Sequence, residues 1–178
     1  MGNIKIVALV GSLRKKSVNR ATAEAAIAQT PENATMAIHE IDDLPFFNED
    51  LEPDNIPMSV ISLRKAIDEA SGWILFSPEY NGSFPALTKN AIDWLSRPPQ
   101  VWADKHMSMV STTAGERAGT SILGHFKTIM SYQTVKLVDP LGIGKFSEKI
   151  DKDGAMSCSI TLKRLADFMK KFCDECAE

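Results

Sequence analysis

The sequence predicts an α/β fold in three layers: a five-stranded parallel sheet with helices packed on both faces. Short apolar runs alternate along the chain with segments whose apolar residues recur at helical spacing. The first apolar run, residues 4–10, ends at Gly11 and is typical of a strand buried on both faces. The 178 residues, 44% hydrophobic and 24% charged, suit one domain over residues 1–178.

Each element is predicted from its local pattern. Strands are predicted at residues 4–10, 36–41, 73–76, 107–111 and 134–138. Helices are predicted at residues 18–29, 59–71, 85–95, 122–130 and 160–172. Pro45, Pro53 and Pro57 indicate a long loop over residues 43–57. No repeat or linker divides the chain.

Polar and basic side chains follow the first strand. In open parallel sheets, ligands bind beyond the carboxyl ends of the strands. Ser12, Ser17 and Asn19 offer short hydrogen-bond donors there, Arg14 offers a charged fork, and the next helix offers free backbone N–H groups. This set suits a phosphomonoester. Ser17 or Asn19 could instead cap the helix without any ligand, but capping leaves the basic run at residues 14–16 unexplained.

Two common phosphate motifs do not occur in the sequence. There is no G-x-x-x-x-G-K-[ST], which argues against ATP or GTP hydrolysis. There is also no G-x-G-x-x-G after the first strand, which argues against tight dinucleotide binding of the Rossmann kind.

A second polar loop follows the third strand and contains Pro78, Glu79, Tyr80, Asn81 and Gly82. A turn of this composition at the carboxyl end of a strand can hold a flat heteroaromatic ring, because Tyr supplies a ring face and the backbone supplies polar groups. By itself, however, the segment predicts only a turn.

Taken together, the two loops resemble those of the NADPH-dependent FMN reductase family, a flavodoxin-like group that includes quinone, azo-dye and chromate reductases. The resemblance rests on residues 11–19, on residues 77–81 with 89–94, and more weakly on residues 45–50. It implies a flavodoxin-like sheet with strand order 2-1-3-4-5. It also implies bound FMN, NADPH or NADH as co-substrate, and a homodimer or homotetramer.

The resemblance also assigns site residues. It implies that the FMN phosphate is held by Ser12, Arg14, Ser17 and Asn19. It implies that the flavin ring is lined by Pro78, Glu79, Tyr80 and Asn81, with Thr112 as a third contact. The chain departs from the family pattern at residues 86–87 and 118–121, which bears on oligomer contacts and on the acceptor pocket.

The expected function is therefore an NAD(P)H oxidoreductase that reduces quinones, free flavin, azo dyes or metal oxyanions through FMN with ping-pong kinetics. The chemistry belongs to the flavin, so no catalytic side chain is assigned. The alternative is a flavodoxin-type electron carrier, or an FMN-binding module, without its own nicotinamide reaction. Phe46 and Phe47 either form an exposed dimer contact or fold back onto their own core.

Charge and composition limit the classes of molecule that the protein is expected to bind. A net charge of −3 argues against general nucleic-acid binding, and no apolar run is long enough to span a membrane, so a small-molecule acceptor and a cytoplasmic location are expected. Cys173 and Cys176 form a C-x-x-C beside carboxylates, which raise thiol pKa values, so neither a redox pair nor a metal site is expected. His39, His106 and His125 are expected to lie away from both loops.

Overall fold

The computed structural model describes residues 3–52 and 54–178, so Pro53 of the predicted loop lies outside the described residues. The sheet contains β1 (Ile4–Val10), β2 (Ala34–His39), β3 (Gly72–Phe76), β4 (His106–Thr112), β5 (Lys136–Leu137) and β6 (Leu141–Ile143). Its order is β2-β1-β3-β4-β5, with β6 also paired to β4, and the pairs are parallel. The predicted fold class and strand order are confirmed.

Helices cover both faces of the sheet. They are α1 (Val18–Ala28), α2 (Met58–Asp68), α3 (Ala86–Leu95), α4 (Thr120–Met130) and α5 (Ser159–Cys176). Ala23 of α1 and Leu165 of α5 belong to the apolar core of one face, whereas Leu63, Trp94 and Phe126 of α2, α3 and α4 belong to the core of the other. Among the described helices, none has the length and apolar character needed to cross a membrane.

The last strand differs from its predicted form. The sequence predicts one strand at residues 134–138, but two short strands, β5 and β6, pair with β4 one after the other. Pro140 lies between them and has no N–H for the ladder. The Ser108 hydroxyl instead donates to the carbonyl oxygens of Val138 (3.0 Å) and Asp139 (3.3 Å). The sheet therefore extends into residues 139–156, a segment for which the sequence supported no interpretation.

The register brings three loops to one level at the carboxyl edge of the sheet. Val10 pairs with Phe76, and Phe76 pairs with Val110. Gly11 then donates its N–H to the Phe76 carbonyl oxygen (2.8 Å), and Ser77 donates to that of Val110 (3.0 Å). The loops that follow β1, β3 and β4 therefore begin side by side.

The long loop at residues 43–57 is fixed to α3. Asn90 and Trp94 lie one helical turn apart, and both donate to the Pro45 carbonyl oxygen, at 2.9 and 2.8 Å. Asn90 also accepts from the Phe47 N–H at 2.8 Å. The Phe47 ring packs edge-on against Trp94, with 5.0 Å between centroids, whereas Phe46 is 80% exposed. Phe47 therefore folds back onto the core, whereas Phe46 is exposed, and its contact with a second copy stays a prediction.

A buried ion pair closes the other end of this loop. Glu52 accepts from Arg64 of α2 at 2.6 Å and from Arg97 at 3.0 Å, and Arg64 also donates to the Trp94 carbonyl oxygen at 2.9 Å. Burial pushes the pKa of Glu52 up, but the two guanidinium groups outweigh it and hold that pKa below its usual value. The loop therefore follows the surface of α2 and α3.

Candidate functional site

A cavity of about 190 Å³ lies at the carboxyl edge, between the loops after β1, β3 and β4. Its lining includes every predicted site residue except Asn81, namely Ser12, Arg14, Ser17, Asn19, Pro78, Glu79, Tyr80 and Thr112. Arg14 and Tyr80 are 66 positions apart in the sequence, yet they line the same space. The structure therefore brings the two polar loops together.

The loop after β1 combines buried hydroxyls with an exposed cation. Ser17 caps α1, because its hydroxyl accepts from the Arg20 N–H at 3.2 Å. This hydroxyl still lines the cavity, together with the buried side chain of Ser12. Arg14 is exposed and forms no ion pair with the described residues. The cap and the phosphate site are therefore compatible.

Asn19 joins the first loop to the third. It is 1% exposed, donates to the Thr112 carbonyl oxygen at 3.0 Å, and accepts from the Thr112 N–H at 3.0 Å. The hydroxyls of Thr22 and Thr112 add a hydrogen bond of 2.9 Å. The amide of Asn19 is thus engaged by the protein itself, and its contact with a phosphate stays a prediction. Its visible role is to fix the distance between α1 and the end of β4.

The second loop forms a tight turn. Tyr80 and Ser83 exchange two backbone hydrogen bonds, at 3.1 and 3.0 Å. Between them Asn81 (φ 51°) and Gly82 (φ 74°) adopt the left-handed conformations that such a turn requires. Asn81 is exposed and outside the cavity lining, so the structure shows it shaping the turn. The Tyr80 side chain is 47% exposed beside the cavity.

The turn is held against α4 on both sides. The Glu79 carboxylate accepts from the Ile122 N–H in the first turn of α4 at 3.0 Å. On the other side, the Ser83 hydroxyl and His125 Nδ1 share a hydrogen bond of 2.8 Å, and the Phe84 ring packs against the same imidazole. The expectation that His125 lies away from both loops is wrong, because α4 returns to the second loop 42 positions later in the sequence.

Two features of the site could not be read from the sequence. Phe146 lines the cavity but comes from the segment beyond β6, where no motif marked it. Arg20 belongs to the basic run after β1, yet it forms a two-point ion pair with Glu40, with distances of 3.0 and 2.6 Å. Among the residues that line the cavity, the positive charge therefore comes from Arg14.

The cavity fits FMN in its chemistry. The start of α1, two hydroxyls and an exposed guanidinium provide donors for a phosphate, and the Tyr80 turn provides an aromatic face. The volume of about 190 Å³ is below the roughly 300–1,000 Å³ of sites that enclose a whole ligand. Part of a bound FMN would therefore lie outside this cavity.

The C-x-x-C lies at the opposite edge of the sheet. Burial, followed by the charge of Asp174, raises the pKa of the Cys173 thiol to about 11. Burial, with contributions from Cys173 and Glu175, raises that of Cys176 to about 12. Both directions agree with the prediction from the neighbouring carboxylates, although burial is the larger cause. Neither thiol is in the ionised form that reacts near neutral pH.

Fold and site together define a flavodoxin-like α/β protein with a polar cavity at the carboxyl edge of its sheet. Residues 4–148 match the family model described as NADPH-dependent FMN reductase. The chain is 40% identical over 170 residues to an NAD(P)H:quinone oxidoreductase of Solanum tuberosum, covering 91% of this chain and 87% of the relative. It is 32% identical over 174 residues to a 2-hydroxy-1,4-benzoquinone reductase of a Burkholderia species, covering 95% and 94%.

A solved structure agrees with these relatives. The flavoenzyme NAD(P)H:(acceptor) oxidoreductase FerB from Paracoccus denitrificans superimposes with a TM-score of 0.88 at 28% identity, covering 98% of this chain and 97% of that one. The chain belongs to the NADPH-dependent FMN reductase family. FMN and NAD(P)H are the cofactor and co-substrate expected of this family.

Proposed function

We propose that the protein holds FMN in the cavity at the carboxyl edge and passes electrons from NADPH or NADH to a quinone. The observation that carries the proposal is that Arg14 and Tyr80 line one cavity. A phosphate bound at the first loop and a ring bound at the second belong to one molecule only if the loops meet, as they do here.

The side chains divide between binding and positioning. Ser12, Ser17 and Arg14 would hold the phosphate at the start of α1, and charge-assisted bonds from Arg14 would be the strongest of these contacts. Pro78, Tyr80 and Thr112 would flank the ring. FMN, when bound, supplies the chemistry by accepting a hydride and releasing electrons to an acceptor.

Other side chains of the site position its loops through hydrogen bonds within the protein. Asn19 fixes Thr112 relative to α1, while Glu79 fixes the Tyr80 turn to α4. These hydrogen bonds join groups of the protein to one another, so they would hold the two loops at fixed positions beside a bound flavin. The partly exposed Tyr80 leaves an approach to the ring, where a nicotinamide and then an acceptor can alternate. We therefore expect ping-pong kinetics.

The acceptor is proposed from the relatives, whose names specify quinones. Free flavin, azo dyes and metal oxyanions remain acceptors to be compared with it. We also propose a cytoplasmic homodimer or homotetramer. The exposed side chains of Leu13, in the loop after β1, and Phe46, in the loop after β2, would supply apolar contacts to a second copy.

Anaerobic rapid mixing tests this function directly. The purified protein is loaded with FMN and mixed with NADPH, and the flavin absorbance is followed. We expect the absorbance to fall and then to recover when benzoquinone is added. A flavin that stays oxidised until a separate reductase is added would identify an electron carrier instead. Failure to bind FMN at all would remove the proposal.

A further inference from the structure

A second and larger cavity adjoins the proposed flavin site. Its volume is about 430 Å³, and it lies between the start of α1 and the segment of residues 150–155. The two cavities share Arg14, Ser17, Val18 and Phe146 as lining residues. They therefore meet at the loop where the phosphate of FMN is proposed to bind, at the far end from the Tyr80 turn.

The outer wall of this second cavity is an ordered hairpin. Ile150 and Met156 form an antiparallel bridge, and the Asp151 N–H donates to the Ala155 carbonyl oxygen at 2.9 Å. The Asp151 carboxylate accepts from the N–H groups of Asp153 and Ala155, at 2.9 and 3.0 Å. The wall is thus held together by its own hydrogen bonds. It also lies beyond residue 148, where the family match ends.

The lining combines three kinds of group. The positive charges are Arg14, Lys15, Lys16, Arg20 and Lys152, the carboxylates are Glu24, Asp151 and Asp153, and the apolar surface comes from Val18, Ala21, Phe146 and Ile150. Over residues 3–52 and 54–178, Arg20 is the one member of these eight charged side chains that takes part in an ion pair, and its partner is Glu40. One oxygen of the Asp151 carboxylate also accepts two backbone N–H groups, and the remaining charges are available to a ligand.

This combination matches an adenosine phosphate. Cations suit the phosphate, carboxylates accept from ribose hydroxyls or the adenine amine, and apolar and aromatic surface packs against the base. A volume of about 430 Å³ falls within the roughly 300–1,000 Å³ typical of small-molecule sites. Lys16 lines this cavity but not the flavin cavity, so its charge faces the second cavity.

We propose that this second cavity binds the adenosine phosphate part of FAD, so that the site accepts FAD as well as FMN. The inference rests on the proposed function. The adenosine phosphate of NADPH has similar chemistry, but its nicotinamide must reach the ring beside Tyr80. The second cavity instead continues from the site of the FMN phosphate. In FAD, the adenosine phosphate is attached to that same phosphate.

Titration calorimetry of the full-length chain, freed of flavin, tests the proposal with FMN and FAD as separate ligands. We expect FAD to bind within about tenfold of FMN. Ala21→Phe fills the cavity and Lys16→Gln removes a cation, so each should weaken FAD by about tenfold and FMN by less than about twofold. Ala28→Phe, at the exposed end of the same helix, is the matched control and should change neither affinity.

The outcomes separate the two proposals. Absence of FMN binding overturns the proposed function. Normal FMN binding with FAD more than about a hundredfold weaker, or with FAD unaffected by both variants, overturns the FAD assignment alone. If Ala21→Phe instead raises the KM for NADPH while FAD affinity is unchanged, the cavity belongs to the nicotinamide dinucleotide, and the FAD assignment is also overturned.

Discussion

The carboxyl and amino ends of the central strands β1 and β3 differ in what packs against them. At the carboxyl end, Gly11 lies against the hydroxyls of Ser77 and Thr88, which share a hydrogen bond of 2.9 Å. At the amino end, Gly72 lies against Cys176 and Phe172 of α5. Both ends depend on a glycine for close packing, but the two polar loops and the proposed flavin cavity lie beyond Gly11. The thiols packed at Gly72 are neutral at ordinary pH.

This difference shows that the pair of cysteines and the cavity serve separate purposes. The C-x-x-C completes the packing of α5 on the sheet, and its raised thiol pKa values follow from that packing. At the carboxyl edge, by contrast, side-chain hydrogen bonds hold the loops at fixed distances from one another. Substitutions at the two ends should therefore separate stability from ligand binding.

Replacing the two glycines should give the largest effects. A Cβ on Gly11 would overlap the Thr88 hydroxyl, and one on Gly72 would lie 2.8 Å from the Cys176 sulfur and 2.9 Å from the His106 carbonyl oxygen. We expect Gly11→Ala and Gly72→Ala each to lower the free energy of unfolding by about 3 kcal/mol. Urea denaturation measures this loss.

FMN titration of the folded fraction then distinguishes the two ends. Gly11→Ala should weaken FMN, because relieving the overlap displaces the start of the phosphate loop. Gly72→Ala should leave FMN affinity unchanged. Equal losses of affinity in the two variants would show that the ends of the sheet are not independent.

Removing the amide of Asn19 should have the next largest effect. Asn19→Ala leaves the N–H and carbonyl oxygen of Thr112 without their buried partner, which should cost about 2 kcal/mol of stability. Because α1 then keeps only the Thr22 hydroxyl of its three described hydrogen bonds to Thr112, the loops after β1 and β4 are held less firmly and FMN affinity should fall as well. The control is Thr30→Ala, which removes a partly buried hydroxyl at the far end of α1. Unchanged FMN affinity in Asn19→Ala would mean that Thr112 is positioned by other contacts.

Local patterns predicted the parallel sheet, and the rule that parallel strands end at one edge predicted where a ligand would bind. The strand order and most of the cavity lining came instead from the resemblance of the two loops to those of a known family. The sequence did not predict which side chains face a ligand and which are used internally. Asn19 and Glu79 belong to recognisable loops, but their partners, Thr112 and Ile122, lie 93 and 43 positions away. Only the packing of α1 against β4, and of the turn against α4, decides their roles.

Phe146 and β6 were missed for a related reason. Residues 139–156 have weak periodicity, and Pro140 interrupts the strand pattern at the point where the chain rejoins β4. No local signal indicates that a phenylalanine in such a segment will line a cavity. Its position is set by the pairing of Leu141 with Val110, a contact between distant parts of the chain.

Arg14→Ala should affect binding without affecting stability. The side chain is exposed and forms no ion pair among the described residues, so the free energy of unfolding should change by less than about 0.5 kcal/mol. FMN affinity should fall about tenfold, since a charge-assisted contact with the phosphate is worth roughly 1.5 kcal/mol. Riboflavin, which has no phosphate, should bind both proteins equally. If FMN bound both proteins equally well, Arg14 would not be part of the site.

The smallest effect concerns the amino end and appears only at alkaline pH. The ordinary pKa of a cysteine thiol is 9.0, and burial raises that of Cys173 in the folded chain to about 11. The folded protein therefore holds the thiol proton more tightly than the unfolded chain does. The resulting stability is fully present below about pH 9 and is lost as pH rises through about 11. Wild type should therefore lose stability more steeply over that interval than Cys173→Ala, while quinone reduction at pH 7 stays the same in both.

Cys158 is the control, because its hydrogen bond with Thr161 lowers its pKa. Cys158→Ala should lose stability between about pH 9 and 11 as wild type does. If that loss disappeared in Cys158→Ala, the effect would not come from Cys173.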